Sequence, residues 1–219
     1  MTPDLFEGLE QKSALPATQS LAPGAVLLRG FARPLEAPLL AGVEQVLAQA
    51  PLRHLVTPGG FRMSVAMSNC GALGWVSDLG GYRYDAIDPD SGRHWPAMPA
   101  VFRDLAAAAA RAGNFEGFAP DACLINRYEP GTRLSLHQDR DEGHYDWPIV
   151  SVSLGLPAVF LFGGPKRSDK ALRVPLAHGD VVVWGGPSRL HYHGVLPVKE
   201  GEHPLTGACR INLTFRKAG

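Results

Sequence analysis

The segment "LSLHQDRDEGHYDW" (134–147) closes an apolar run with His137, Asp139 and Asp141 at intervals of two. Side chains repeat every two residues on an extended strand, so the three are expected on one face. An imidazole and two carboxylates are costly to bury together unless a cation sits among them. Two histidines and one carboxylate with the opposite side open form the facial triad of non-haem iron(II) oxygenases. Three protein ligands leave room for a chelating co-substrate and for O2. His137 and Asp139 supply two ligands, and the third must come from a later strand that returns beside them. His178, His191, His193 and His203 are the candidates. His178, before "GDVVVW", fits a tight turn, and His203, before Pro204, fits a charged loop. In "HYHG" (191–194), His191 and His193 alternate onto one face, and spacing alone does not choose between them.

The end of the chain carries a second constellation. In "RINLTFR" (210–216), Arg210, Asn212, Thr214 and Arg216 fall on one strand face and Ile211, Leu213 and Phe215 on the other. If the polar face points inward, two guanidiniums offer bidentate sites for two carboxylates. A dicarboxylate co-substrate fits that face.

These groups need a scaffold, and 219 residues suffice for one sizeable domain. After residue 120, short apolar runs recur: "ACLINRY", "RLSLHQD", "PIVSVSLG", "AVFLFGG", "ALRVPL", "DVVVWGG", "HYHGVLPV" and "RINLTF". Gly, Pro and Asp punctuate them, as in a sandwich or barrel of short strands. Earlier, "GAVLLRGF" (24–31) reads as a strand. The spacing predicts helices over 34–50 and 100–113, the second stopped by Gly113. The reading is a single α+β domain over 23–219, with a jelly-roll (double-stranded β-helix) core buttressed by the two helices. Residues 1–22 are expected to be loosely held. Between the helices, residues 56–89 are Gly-rich and aromatic, with Trp75, Tyr82 and Tyr84, and suit a lid or binding loop.

Bulk composition narrows the partners. Lys plus Arg equals Asp plus Glu, so a nucleic-acid partner would need a local basic patch. No stretch approaches the roughly 18 uninterrupted apolar residues of a membrane span. The acidic N-terminus lacks the regions of a signal peptide. Cys70, Cys123 and Cys209 form no CxxC pair, against a thiolate zinc site or a disulfide framework. A reducing cytoplasm is the expected location.

From "GAVLLRGF" nearly to its end, the chain resembles the AlkB family of Fe(II)/2-oxoglutarate dioxygenases, which reverse alkylation damage on nucleobases. The most specific stretches are "VTPGGFRMSVAMSNCG", "LGWVS", "PDACLINRYEPGTRLSLHQDRDE", "PIVSVSLGLPAVFLFGGPKRSD", "HGDVVVWGG" and "CRINLTFR". The resemblance implies Fe(II), 2-oxoglutarate and O2, with His137, Asp139 and His193 as metal ligands. It implies that Asn126, Tyr128 and Arg210 hold the distal carboxylate of 2-oxoglutarate, and Arg216 with Asn212 its metal-proximal end. Met67, Trp75 and Tyr82 match base-pocket residues of the lid, and Asp141 the acid facing the base's exocyclic nitrogen. Arg167, with Thr57 and Tyr82, matches contacts to the nucleotide or its phosphates. The implied activity is oxidative demethylation of bases such as 1-methyladenine and 3-methylcytosine. Single-stranded DNA is the preferred partner, with double-stranded DNA and RNA as alternatives, and the protein is expected to be a monomer. Two departures from the family pattern stand out: His191 replaces an aromatic position, and the polar N-terminal extension is longer.

Overall fold

A computed structural model of the protein describes residues 18–219. Two antiparallel sheets face each other. The larger is ordered β1(Thr18–Ala22)-β2(Ala25–Leu28)-β11(Val181–Trp184)-β8(Ile149–Gly155)-β13(Arg210–Arg216)-β6(Ala122–Tyr128)-β3(Ala66–Gly71). The smaller is ordered β10(Leu172–Leu176)-β9(Ala158–Phe162)-β12(His193–Val195)-β7(Leu134–His137). A separate hairpin joins β4(Gly74–Asp78) to β5(Gly81–Asp85). All eight apolar runs beyond residue 120 are strands, as their period and punctuation predict.

Alternation along the strands of the large sheet builds two cores. Ile125, Val150, Val152, Val181, Val183, Leu213 and Phe215 point to one side. There α1(Glu36–Leu47) buries Leu39, Val43 and Val46, and α2(Ala100–Ala112) buries Phe102, Leu105, Ala106, Ala109 and Ala110. Both sets recur at helical spacing, so each helix lays one apolar stripe on the sheet. On the other side, Leu124, Tyr128, Ile149, Val182 and Trp184 meet Phe160, Phe162, Val174 and Val195 of the small sheet. The predicted jelly-roll core with helical buttress is therefore the observed architecture.

Several details differ from expectation. Residues 18–22, expected within the loose N-terminal segment, form β1, because β2 offers an open edge and Leu21 and Ala22 pack on the inner core. The rest of that segment, 1–17, lies outside the described residues. The second strand covers only 25–28 of the predicted 24–31, and α1 starts at Glu36. Gly113 does end α2, but with φ −87°; Asn114 takes the left-handed conformation at φ 67°. Small size is what position 113 requires, since a Cβ there would lie 2.9 Å from the Val183 side chain. Residues 66–71, inside the predicted lid, are an integral strand of the large sheet, paired with β6. Of the predicted lid, Thr57, residues 63–65 and the β4–β5 hairpin, through Trp75, Tyr82 and Tyr84, also line the cleft. No helix among the described residues is long and apolar enough to cross a membrane.

Candidate active site and metal centre

The polar face of β13 lines a cleft of about 560 Å³ between the sheets, shared with His137, Asp139, His193, Trp75, Tyr82 and Arg167. Strand register builds its floor. Met67 on β3 pairs with Asn126 on β6, Asn126 with Asn212 on β13, and Asn212 with Ser153 on β8. One row of side chains thus crosses four strands. The next row inward pairs Tyr128 with Arg210.

At the centre, β12 and β7 pair His193 directly with His137. Gly194 permits this approach, because a Cβ there would sit 2.7 Å from the Leu134 carbonyl oxygen. The ligand atoms of His137, Asp139 and His193 all lie within 4.8 Å of one another. Each imidazole Nδ1 lies against a carbonyl oxygen, Ser135 at 2.8 Å for His137 and His191 at 3.0 Å for His193. A carbonyl only accepts, so each Nδ1 carries a proton, and Nε2, the atom facing Asp139, is the one left to bind a metal. Burial, followed by the neighbouring His137, pushes the His193 imidazole down to about 4, which keeps it neutral. Burial would raise the Asp139 carboxyl, but Arg216, His193 and His137 together hold it well below the ordinary carboxylate range. Two imidazole nitrogens and one carboxylate are the donor set that suits a divalent iron.

The structure also corrects the strand reading of both motifs. β7 ends at His137, so Asp139 and Asp141 lie on a loop and do not share a face. The Asp139 side chain is 9% exposed and turns inward; Asp141 is exposed and accepts a 2.8 Å hydrogen bond from Trp75 Nε1. β12 begins at His193, so the alternation expected across "HYHG" does not apply. The His191 ring rests on Phe162, 5.5 Å between centroids, outside the triad.

The two arginines of β13 stand in opposite electrostatic situations. Arg210 is 1% exposed, lies 4.8 Å over the Tyr128 ring and donates through Nη2 to Ser153 Oγ at 3.0 Å. Among the described residues, its Nε and Nη1 are buried without a hydrogen-bond partner, as is Asn126 Oδ1. Burial pulls this guanidinium below its ordinary pKa and pushes the Tyr128 hydroxyl above its own. A buried cation with free donors beside a protonated phenol is fitted to one carboxylate of a ligand. Arg216 is already paired. Its Nε donates to Asp139 Oδ2 at 2.9 Å and lies 3.2 Å from Glu142 Oε1. Burial alone would lower it, yet Asp139, Tyr84 and Glu142 raise it above the ordinary arginine value. Asn212 is engaged inside the sheet, donating to Ser151 Oγ at 2.8 Å and Val152 O at 2.9 Å and accepting from Thr214 at 2.9 Å.

At the mouth, Trp75 and Tyr82 stack across the hairpin, 5.6 Å between centroids and 13° between planes. Arg167 is exposed on the loop after β9 and lies 5.2 Å over the Tyr192 ring. Thr57 accepts from the Phe61 amide at 3.1 Å, closing the 57–61 turn. His178 is structural: its Nδ1 accepts from the Gly155 amide at 2.9 Å and its Nε2 meets Glu36 at 2.9 Å. Glu142 and Arg189 escaped the sequence reading. Both are buried behind Asp139. No periodicity marks either residue, because the chain has left β7 at His137 and Arg189 follows a short 3-10 turn.

A jelly-roll carrying this triad and an inward-facing arginine defines the class, and the family comparison agrees. The model of the 2OG-Fe(II) oxygenase superfamily matches residues 24–216, and the chain belongs to that family. It is an iron(II)- and 2-oxoglutarate-dependent dioxygenase. The chain is 56% identical over 216 residues to the alpha-ketoglutarate-dependent dioxygenase AlkB of Escherichia coli, covering 99% of this chain and 98% of that protein. A homolog of that dioxygenase from Caulobacter vibrioides is 46% identical over 187 residues, 85% of this chain and 81% of that one. The solved structure of OsALKBH1 superposes with a TM-score of 0.80 at 32% identity, covering 91% of this chain and 99% of that one.

Proposed function

We propose that the protein oxidatively demethylates N-alkylated bases of the 1-methyladenine and 3-methylcytosine type. Single-stranded DNA would be preferred to duplex DNA and RNA, and the enzyme would act as a cytoplasmic monomer. The observation that carries this reading is the mouth: stacked Trp75 and Tyr82, with Asp141 bonded to the indole, stand over an iron-type triad. Iron bound there, with 2-oxoglutarate and O2, supplies a two-electron oxidation of the methyl carbon, giving formaldehyde, succinate and CO2.

The chain's own residues do the positioning. His137, Asp139 and His193 would hold the metal. Arg210, with Tyr128 and Asn126, would receive the distal carboxylate of the co-substrate on its free donors. Arg216, supported by Asn212, would stand at the metal-proximal end. A methyl on a Watson–Crick nitrogen is inaccessible inside a duplex, so the base must be flipped or already unpaired. Trp75 and the His137 ring would sandwich it, with Met67 in the pocket wall. Bases methylated at those nitrogens are cationic, and the Asp141 carboxylate favours them over neutral parent bases. Thr57, Tyr82 and Arg167 would engage the nucleotide backbone, making the hairpin within 56–89 the recognition lid.

The test is formaldehyde release from methylated and unmethylated oligonucleotides, with iron and 2-oxoglutarate present. Release confined to the methylated strand is expected. Conversion of 2-oxoglutarate with no formaldehyde from any methylated oligonucleotide would point to a small-molecule substrate.

A further inference from the structure

Behind the triad, Glu142 and Arg189 form a buried pair outside the residues proposed to hold metal and co-substrate. Glu142 is 6% exposed and Arg189 3% exposed, on segments far apart in sequence. Arg189 Nη1 donates to the Asp139 carbonyl at 2.8 Å and Nε to the Trp147 carbonyl at 3.1 Å. Its Nη2 lies 3.1 Å from Glu142 Oε2. Glu142 Oε1 meets Arg216 at 3.2 Å, and Arg216 in turn grips the Asp139 carboxylate. The Tyr84 hydroxyl, from β5 of the hairpin, donates to the same Glu142 Oε1 at 3.0 Å. Asp139 is thus held at its main chain by one arginine and at its side chain by another, and Glu142 joins the two.

Charge explains why such an array is needed. Asp139 and Glu142 balance Arg189 and Arg216, so the four buried groups are neutral together. Without Glu142, two buried guanidiniums would face a single negative charge, and Arg216, left with Asp139 alone, would compete with a divalent cation for that carboxylate. We propose that Glu142 and Arg189 are positioning residues for Asp139, and that Tyr84 ties the β4–β5 hairpin to them. Seating of the hairpin and loading of the metal centre are then linked through Tyr84, Glu142 and Arg216, and linkage of this kind is reciprocal. The inference rests on the triad being the metal site.

Anaerobic calorimetry with Mn(II) in place of iron tests both points without turnover. Binding by the parent chain, lost in His193→Ala, checks the triad by itself. Glu142→Gln keeps the shape and removes the charge, and should weaken Mn(II) about 10–100-fold, as loss of an outer partner of a metal ligand does. Arg189→Lys keeps the charge but loses the fork and should also weaken it, which covers the case of a Glu142 variant that does not fold. A folded Glu142→Gln protein that binds Mn(II) as tightly as the parent overturns the assignment, whatever its melting temperature. In hydrogen exchange, Mn(II) with 2-oxoglutarate should slow the amides of 74–85 about fivefold or more in the parent, and not in Tyr84→Phe. Equal protection in both proteins, or none in the parent, removes Tyr84 from the array.

Discussion

The inner end of the cleft and its mouth are built on different principles. Inside, Arg210 and Tyr128 are each 1% exposed and Asn126 2%, all fixed by the register of neighbouring strands. At the mouth, Tyr82 is 46% exposed and the Asp141 and Arg167 side chains stand in solvent on loops. A preformed, buried pocket with free donors suits a small anion of constant shape, since little must be ordered on binding. An exposed aromatic hairpin suits a substrate that arrives in many sequence contexts and is recognised by stacking. Substitutions inside should therefore cost more, and act on different quantities, than substitutions at the mouth.

The largest effect is expected at the triad. His193→Ala should abolish metal binding and turnover, whereas His191→Ala should leave most activity, because His191 serves His193 through its carbonyl, which the substitution keeps. Calorimetry and formaldehyde assays on the pair would check this, and the opposite pattern would reverse the assignment. Next comes Arg210→Lys, which retains charge but not the planar fork. The concentration of 2-oxoglutarate needed for half-maximal turnover should rise about tenfold or more, the worth of one charge-assisted hydrogen bond at ~1.5–3 kcal/mol. Metal affinity without co-substrate should stay nearly intact; an unchanged 2-oxoglutarate requirement would remove Arg210 from that pocket.

Effects at the mouth should be smaller and confined to the nucleic acid. Trp75→Ala should weaken binding of a methylated oligonucleotide by ~1–3 kcal/mol. It should barely change the slow conversion of 2-oxoglutarate without substrate, which needs no stacked base. Trp75→Ala activity equal to the parent's at subsaturating single-stranded DNA would make the hairpin mere cover for the core. The smallest change belongs to Arg167→Ala. Formal charge is zero across the chain, so phosphate contacts are local, and loss of one should flatten the salt dependence of binding by about one counterion.

Local pattern made the inner end legible and left much of the mouth and the support obscure. Alternation in "RINLTFR" separated Arg210, Asn212, Thr214 and Arg216 from Ile211, Leu213 and Phe215, and the two sets do face the cleft and the helices. Alternation misled where the strand stops: beyond His137 the chain turns, which sends Asp139 inward and Asp141 to Trp75. It also left His191 and His193 equivalent, and only the pairing of β12 with β7 separates them by geometry.

The sequence by itself determined the strand-rich α+β class, the two helices, the His-x-Asp pair and the two-faced final strand. These follow from period and punctuation within a few residues. Tertiary structure alone decided that Arg210 has no anionic partner among the described residues while Arg216 is paired, and that Glu142 and Arg189 stand behind Asp139. Those outcomes join residues 50 and 77 positions apart, Arg189 and Arg216 to Asp139, across segments with no shared periodicity. A charge reveals its role only when folding has chosen its neighbours and removed the water between them.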